Sequence, residues 1–196
     1  MLLYGASGHG KVVYDVLNGE VELFFDDNDK LIEFLAIPVQ KYDSGTNSEK
    51  EIIITIGDNG LRYKVSKLVK HKFGQVIAAS STISTLSRIG IGSQILQGAI
   101  VQTDAFVGDH VIINTGASVD HDCVIGNFCH IAPQVTLCGN VQVGEGTLIG
   151  AGSTIIPGIK IGKWCTIGAG TVVINDIPDY AVVVGNPGKI IKINQS

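Results

Sequence analysis

Every sixth residue from Ile89 onward is aliphatic. The series runs through Ile95, Val101, Val107 and Ile113 to Ile167 and Val173, fifteen positions without a break. A fixed period of this kind is the signature of stacked repeats. Ile83 and Ile77 extend the register backwards. Four residues after each anchor the side chain is mostly small, as at Ser93, Ala99, Ala105, Ala117, Cys123 and Cys129. A third layer has a period of eighteen, with Gly90, Gly108, Gly126, Gly144 and Gly162 each following an anchor. One coil is therefore three hexads, and the run holds about five coils. The pattern predicts a parallel β-helix of triangular section. Each side is a short strand, the aliphatic anchor fills the interior, the small residue makes room beside it, and glycine relaxes the corner. Coils stacked about 4.8 Å apart by strand hydrogen bonding give a prism roughly 24 Å tall. Flat apolar sides of such a prism can pack against copies of themselves.

The first part of the chain follows a different grammar. Residues 2–4, 23–25 and 51–56 read as strands. Residues 11–17 carry an apolar helical face of Val12, Val13, Val16 and Leu17. Asn59 is placed to cap a second helix running to about Lys72. Residues 41–50 read as a polar loop. Alternating strands and helices imply a small parallel α/β unit. The domains expected are a Rossmann-like one over residues 1–80 and the β-helix over residues 81–196. Ligands of α/β units sit at the carboxyl ends of the strands, here Gly5 to Gly10, Asp26-Asp27 and Gly57 to Asn59.

The stretch "LLYGASGHGKVV" has the layout of a nucleotide-binding turn, since it follows a strand and opens a helix. Its backbone N–H groups and helix N-terminus suit a pyrophosphate. The glycine spacing is Gly5-x-x-Gly8-x-Gly10, not the dinucleotide Gly-x-Gly-x-x-Gly, and some eighty residues leave little room for a full dinucleotide fold. That disfavours an NAD-linked oxidoreductase. The net charge of −4 and an aromatic content of 6% give no basic or stacking surface for nucleic acid. There is no run of eighteen apolar residues, so no membrane insertion is expected. The N-terminus lacks a charged segment followed by an apolar one, and a cytoplasmic location is the expectation. The four cysteines form no CxxC pair, and their places in the repeat make them packing residues.

"YGASGHGKVV", together with "VDHDCVIGNFCHIAPQVTLCGNVQVGEGTLIGAGS", resembles the PglD/NeuD-type sugar acyltransferases of the hexapeptide-repeat acyltransferase superfamily. The C-terminal "VVVGNPGKIIK" is similar to the tail beside the CoA site in many hexapeptide transferases. The resemblance covers essentially the whole chain. It implies a left-handed β-helix, acetyl-CoA as co-substrate, no metal and a homotrimer with sites between subunits. In "DHDCVIG", His121 corresponds to the general base, and Asp122 stands where the aminosugar N-acetyltransferase has Glu. His130 corresponds to a histidine near the acetyl-CoA carbonyl, and Asn114 to an asparagine near the sugar. Gly139, Ala151 and Ala169 fall on backbone positions along the pantetheine path. Ser7, Gly8, His9, Asp26 and Asp27 match the nucleotide-binding positions, and Gly57 joins them at its strand end. His9 is expected to face the sugar-nucleotide and the neighbouring subunit's His121.

The chemistry fits those residue types. A sugar ammonium must lose a proton to attack a thioester, and histidine titrates near neutrality. Asp122 could orient His121 or raise its basicity. Backbone N–H groups or the His130 ring could stabilise the oxyanion. Cys123 lies two residues from His121, but it occupies a small inward slot, so direct transfer without an acyl-enzyme is expected. His71 and His110 match nothing and are expected to be solvated. The reaction read from this is N-acetylation of the 4-amino group of a nucleotide-linked, most simply UDP-linked, aminosugar. Two other readings stay open: O-acetylation of sialic acid or another surface-glycan sugar, and a non-catalytic solenoid that binds nucleotide sugars.

Overall fold

The structure, a computed structural model, describes residues 1–195. Its first part runs β1 (Leu2–Tyr4), α1 (Gly8–Val16), β2 (Leu23–Phe25), β3 (Glu33–Phe34), β4 (Ile37–Gln40), β5 (Ile52–Ile54) and α2 (Asn59–Leu68). The sheet order is β3-β4-β2-β1-β5. Strands β4, β2, β1 and β5 are parallel, and β3 is antiparallel to β4. Strands β1, β2 and β5 are buried throughout, so they are apolar at every position rather than alternating. Leu2, Tyr4, Ile52 and Ile54 pack with Val65 of α2, whereas Leu3, Phe24 and Ile53 pack with Val13 of α1. The two helices therefore cover opposite faces. The crevice where the strand order reverses lies between the ends of β1 and β5, at the Gly5 and Gly57 loops.

The sequence reading missed one hairpin and misplaced both ends of α2, which stops at Leu68 rather than about Lys72. The β3–β4 hairpin turns on Leu35 and Ala36 at φ 54° and 59°, with none of the Asn-Gly chemistry that marks such turns. Asp58, not Asn59, caps α2: its carboxylate accepts from the Leu61 N–H at 2.7 Å, and Asn59 is the first helical residue.

The prism has three faces. Face 1 stacks Val76–Ile77, Gln94–Ile95, Ile112–Ile113, His130–Ile131, Leu148–Ile149 and Thr166–Ile167, and is continued by Ala181–Val184. Face 2 runs from Thr82–Ile83 through Ser118–Val119 to Val172–Val173, and face 3 from Arg88–Ile89 through Val124–Ile125 to Lys160–Ile161. Pairing follows the eighteen-residue coil, as in Ile113 opposite Ile131. Every anchor from Ile95 to Val173 is at most 3% exposed. Ile77 keeps the register opposite Ile95 but is 47% exposed, because it sits in the end coil where the interior is not closed. After Val173 the coil shortens: Thr166 pairs with Val182 and Ile161 with Ile177, each sixteen residues on. The antiparallel strand Lys189–Ile193 covers the edge of Ala181–Val184.

The corners turn on left-handed residues. Gly92, His110, Phe128, Gly146 and Trp164 form the column between faces 3 and 1. Gly98, Gly116, Gln134, Gly152 and Gly170 form that between faces 1 and 2, and Asp104, Asp122, Asn140 and Gly158 that between faces 2 and 3. The glycines that follow the anchors are not these turn residues. A Cβ on Gly126 would lie 2.6 Å from the Glu145 backbone nitrogen, so closeness of the next coil, rather than turn geometry, excludes a side chain there.

The α/β part sits on face 1 of its own prism, where Gln94 and Ile112 are wholly buried. Helix α2 docks along the corner between faces 3 and 1. Tyr63 meets Phe128 edge-on at 5.1 Å and Trp164 at 5.9 Å.

Candidate active site

His121 and Asp122 occupy the corner between faces 2 and 3. Asp122 adopts φ 60°, a conformation Asp tolerates better than most residues. This turn brings its carboxylate back onto the preceding ring, with Oδ2 at 2.7 Å from His121 Nδ1. The shorter acid thus reaches its histidine directly. The hydrogen bond to Asp122, followed by the charge of Asp120, raises the His121 pKa. Asp120 also accepts from the His121 N–H at 2.8 Å. A carboxylate accepts only, so Nδ1 carries the proton and Nε2 keeps a lone pair. Gly139 lies one coil further on the same corner, and a Cβ there would sit 2.6 Å from His121 Cε1 and Nε2. The ring lines an open groove of about 480 Å³ with Cys138, Gly139, Asn140, Pro157 and Gly158. Ala151 and Ala169 lie on another corner, between faces 1 and 2, and are not brought to His121 within the chain.

The remaining predicted residues gather on the opposite side of the prism. Asp26 is a loop-holder: its carboxylate accepts from the N–H groups of Ala6 at 2.8 Å and Asn28 at 2.9 Å. Ser7 is the N-cap residue of α1 but its hydroxyl caps nothing, and Ser7 and Gly8 are exposed. The first turn of α1 therefore presents free donors to the crevice. His9 Nε2 meets Gln94 Oε1 at 2.9 Å, and His9 faces His130 with ring centres 6.4 Å apart. His130 lies on face 1, between the Gly57 carbonyl at 3.2 Å from Nδ1 and Asn114 Nδ2 at 3.0 Å from Nε2. Burial, with the nearby Arg62 charge, lowers its pKa to about 4, so the ring is neutral. Both ring nitrogens are occupied, and its company is the α/β part rather than His121. A cleft of about 320 Å³ opens here between Gly57, Asn59 and His130 on one side and Leu148, Trp164 and Thr166 on the other.

A second cavity, about 500 Å³, is lined by Tyr4, Asp27, Lys41, Tyr42 and Leu68. Tyr4 donates to Asp27 Oδ1 at 2.8 Å, and the Tyr4 and Tyr42 rings lie 5.7 Å apart. Asp27 is exposed, with its other oxygen without a partner among the described residues. This aromatic slot with a carboxylate at its rim suits a flat heterocycle bearing an N–H edge.

Three residues behave otherwise than the sequence suggested, or escaped it. His71 and His110 are not solvated; each is only 5% exposed. His71 is bracketed by Tyr42 Oη and the Thr46 carbonyl, and His110 is stacked on Phe128 at 5.0 Å and edge-on to Phe73 at 4.4 Å. The third is Arg62, wholly buried and, among the described residues, in no ion pair, with Asp58 acting on it through its charge alone. Its guanidinium donates to the carbonyls of Ile56 and Gly57 on one side and of His110, Phe128 and Cys129 on the other, and to Asn59 Oδ1. Burial lowers its pKa to about 10, which leaves it charged at neutral pH. The Cys123 thiol points into the prism as expected; burial pushes its pKa up to about 11. Among the described residues, no cluster of three or more His, Cys, Asp or Glu could hold a metal ion, and no helix is long and apolar enough to cross a membrane.

Residues 1–69 match the family model of the PglD N-terminal domain, and residues 104–139 and 140–175 match that of the bacterial transferase hexapeptide (six repeats). No curated protein sequence matches the chain. Among solved structures, the acetyltransferase domain of PglB from Neisseria gonorrhoeae FA1090 is 34% identical, with 97% of this chain and 98% of that one covered and a TM-score of 0.90. It has also been solved in complex with acetyl coenzyme A. PerB from Caulobacter crescentus, in complex with CoA and GDP-perosamine, is 34% identical over 97% of this chain and 96% of that one, with a TM-score of 0.92. WeeI from Acinetobacter baumannii AYE is 28% identical over 97% and 98%, with a TM-score of 0.87.

Proposed function

Because the chain belongs to the PglD family of hexapeptide-repeat sugar N-acetyltransferases, we propose that it moves the acetyl group of acetyl-CoA onto the 4-amino group of a UDP-linked aminosugar. The observation that carries the chemistry is the His121–Asp122 pair, 2.7 Å apart on an open groove, with Nε2 left as the basic nitrogen. Nε2 takes the proton of the amine as the amine nitrogen bonds to the thioester carbonyl carbon. The C–S bond then breaks and the CoA thiolate leaves. Asp122 stabilises the imidazolium that forms. No acyl-enzyme is needed, and Cys123 is turned away from the groove. Acetyl-CoA is expected along the prism, with Gly139 beside the base and Ala151 and Ala169 along its path. His130 is read as part of the acceptor half, together with Asn114, His9, Ser7, Gly8 and Gly57.

The pairing of base and acceptor is proposed to occur between subunits of a homotrimer in the cytoplasm. The corner carrying His121 lies between faces 2 and 3, opposite the face that bears the α/β part, so the two half-sites of one chain point away from each other. Ile100 on face 2 and Phe106 and Val124 on face 3 are 36 to 46% exposed and flank that corner, an apolar surface suited to another copy. Uracil is proposed for the slot beside Asp27, whose free oxygen suits the base N–H. PerB was solved with GDP-perosamine, so guanine is the base to test against it.

The test is thiol release from acetyl-CoA with UDP- and GDP-linked 4-amino sugars and with sialic acid. Transfer to the UDP-linked amine, lost on the order of 10²-fold or more in His121→Ala, is expected. Transfer only to sialic acid would replace the reading with O-acetylation. UDP binding without transfer to any sugar would reduce the protein to a binding solenoid.

A further inference from the structure

His9 and the His130 of the cleft, with ring centres 6.4 Å apart, are each held by the other half of the chain, in a way that fixes where their protons sit. Gln94 is wholly buried on face 1, and its Nε2 donates to the Ile54 carbonyl at 3.0 Å. Its Oε1 is therefore the atom that faces His9 at 2.9 Å, and it can only accept. His9 must carry its proton on Nε2, which leaves Nδ1 with a lone pair and no partner among the described residues. His130 has the reverse arrangement. Its Nδ1 meets the Gly57 carbonyl at 3.2 Å, so Nδ1 holds the proton. Its Nε2 accepts from Asn114, whose amide is oriented independently by the Thr115 N–H donating to Oδ1 at 2.8 Å.

The Gly57 carbonyl does not stand alone. Arg62 Nη1 donates to it at 3.2 Å and to Ile56 at 2.8 Å, while Nε and Nη2 grip the carbonyls of His110, Phe128 and Cys129 on the prism. A buried guanidinium satisfied by backbone carbonyls on both sides fixes the distance between the Gly57 loop and the corner beside His130.

We propose that Gln94 and Arg62 are positioning residues of the acceptor site, which set His9 as the Nε2–H tautomer and His130 as the Nδ1–H tautomer, so that His9 Nδ1 offers a lone pair to a hydrogen-bond donor of the substrate. The inference rests on the proposed function for what the substrate is. An acceptor nitrogen repels phosphate oxygens and takes an N–H or O–H, so His9 addresses the sugar and not the pyrophosphate. The Ser7–Gly8 backbone is left for the phosphates.

The tautomers are read directly from ¹⁵N-histidine spectra of the full-length protein, which separate protonated from lone-pair ring nitrogens independently of activity. The expected result is a hydrogen-bonded N–H at Nε2 of His9 and at Nδ1 of His130. Gln94→Met, apolar and unbranched, should remove the protected His9 resonance and leave that of His130. It should lower kcat/KM for the nucleotide aminosugar about five- to tenfold, the worth of one hydrogen bond, with KM for acetyl-CoA unchanged. Gln94→Glu, which keeps an acceptor oxygen, should restore the His9 resonance. Arg62→Lys should weaken the His130 Nδ1–H signal. His130 protonated at Nε2 in the wild type, or Gln94→Met with kcat/KM unchanged, would overturn the assignment. Both tautomers as stated in a protein that transfers no acetyl group would overturn the proposed reaction and leave the lock standing.

Discussion

Gly139→Ala probes the proposed base, His121, by displacing its ring without replacing it. The Gly139 backbone has an ordinary φ, so alanine is conformationally permitted there. The new Cβ would lie 2.6 Å from both Cε1 and Nε2 of His121 and 3.3 Å from Cδ2. Carbon contacts are comfortable at about 3.6 Å, so the ring must retreat by roughly 1 Å. His121 is an exposed side chain on a corner, and it can swing away at little cost to the fold. Its relation to the substrate amine is another matter, since a displacement of about 1 Å can cost on the order of 10²-fold in rate. The expected outcome is a folded protein whose melting temperature is nearly unchanged, with kcat reduced on the order of 10²-fold. Thiol release at saturating acetyl-CoA and nucleotide sugar measures it. Near-wild-type kcat would refute the placement of the working nitrogen beside Gly139. An intact kcat with a raised KM for acetyl-CoA would make Gly139 a wall of the donor path and nothing more.

Asp122→Asn should lower the plateau of kcat/KM on the order of tenfold to a hundredfold and move its acidic limb to lower pH. As the proposed base His121 acts unprotonated, and the Asp122 hydrogen bond holds its pKa above the ordinary histidine value, so removing the carboxylate lets the limb fall; an unmoved limb in the pH–rate profile would contradict this. Cys138→Ala should retain near-normal transfer, although the thiol lines the His121 groove, and a dead variant would argue for an acyl-enzyme. Burial lowers the His110 pKa from 6.5 to about 4, so the unfolded chain takes up that proton first as pH falls. His110 thus contributes stability that is complete above about pH 6.5 and is lost between there and about pH 4, on the order of 1 to 2 kcal/mol by pH 5. His110→Phe, in a column where Phe128 already has the same left-handed φ, should show a smaller drop than wild type in urea unfolding between pH 7 and pH 5.

The prism was legible because its interior repeats. An anchor such as Ile113 or Ile131 has one neighbourhood in every coil, so one period describes them all. Ile77 shows the limit of that logic: it keeps the register but lies in the end coil, where no further coil buries it. The turn residues were half-visible. Gly90 and Gly126 were read as corner glycines, yet the left-handed positions fall two residues later, at Gly92 and Phe128. His110, Phe128 and Trp164 fall at multiples of eighteen residues among them, with Gly146 between the last two, a ring column that marks where α2 docks. Face 1 carried a similar signal. Its outward positions Val76, Ile112 and Leu148 are apolar around Gln94 and His130, which is the composition of a covered face. Arg62 carried none, because only tertiary contact distinguishes a buried arginine in a polar helix from an exposed one. His71 escaped for the same reason: Tyr42 and Thr46, which bracket it, are distant in sequence. The motif "DHDC" led to the His121–Asp122 pair, but not to its position across the prism from the α/β part.

That separation is the centre of the account, and subunit mixing tests it most directly. His121→Ala removes the proposed base. Gly8→Trp blocks the acceptor crevice at a position where an added Cβ meets nothing within 4 Å, so the fold should tolerate it. Each variant alone should be inactive. If the protein is the proposed trimer and every site takes its base from one chain and its acceptor half from another, oligomers reassembled from an equal mixture should recover about one quarter of wild-type activity. Mixed trimers that stay at the background of the single variants would place base and acceptor in the same chain and contradict the account.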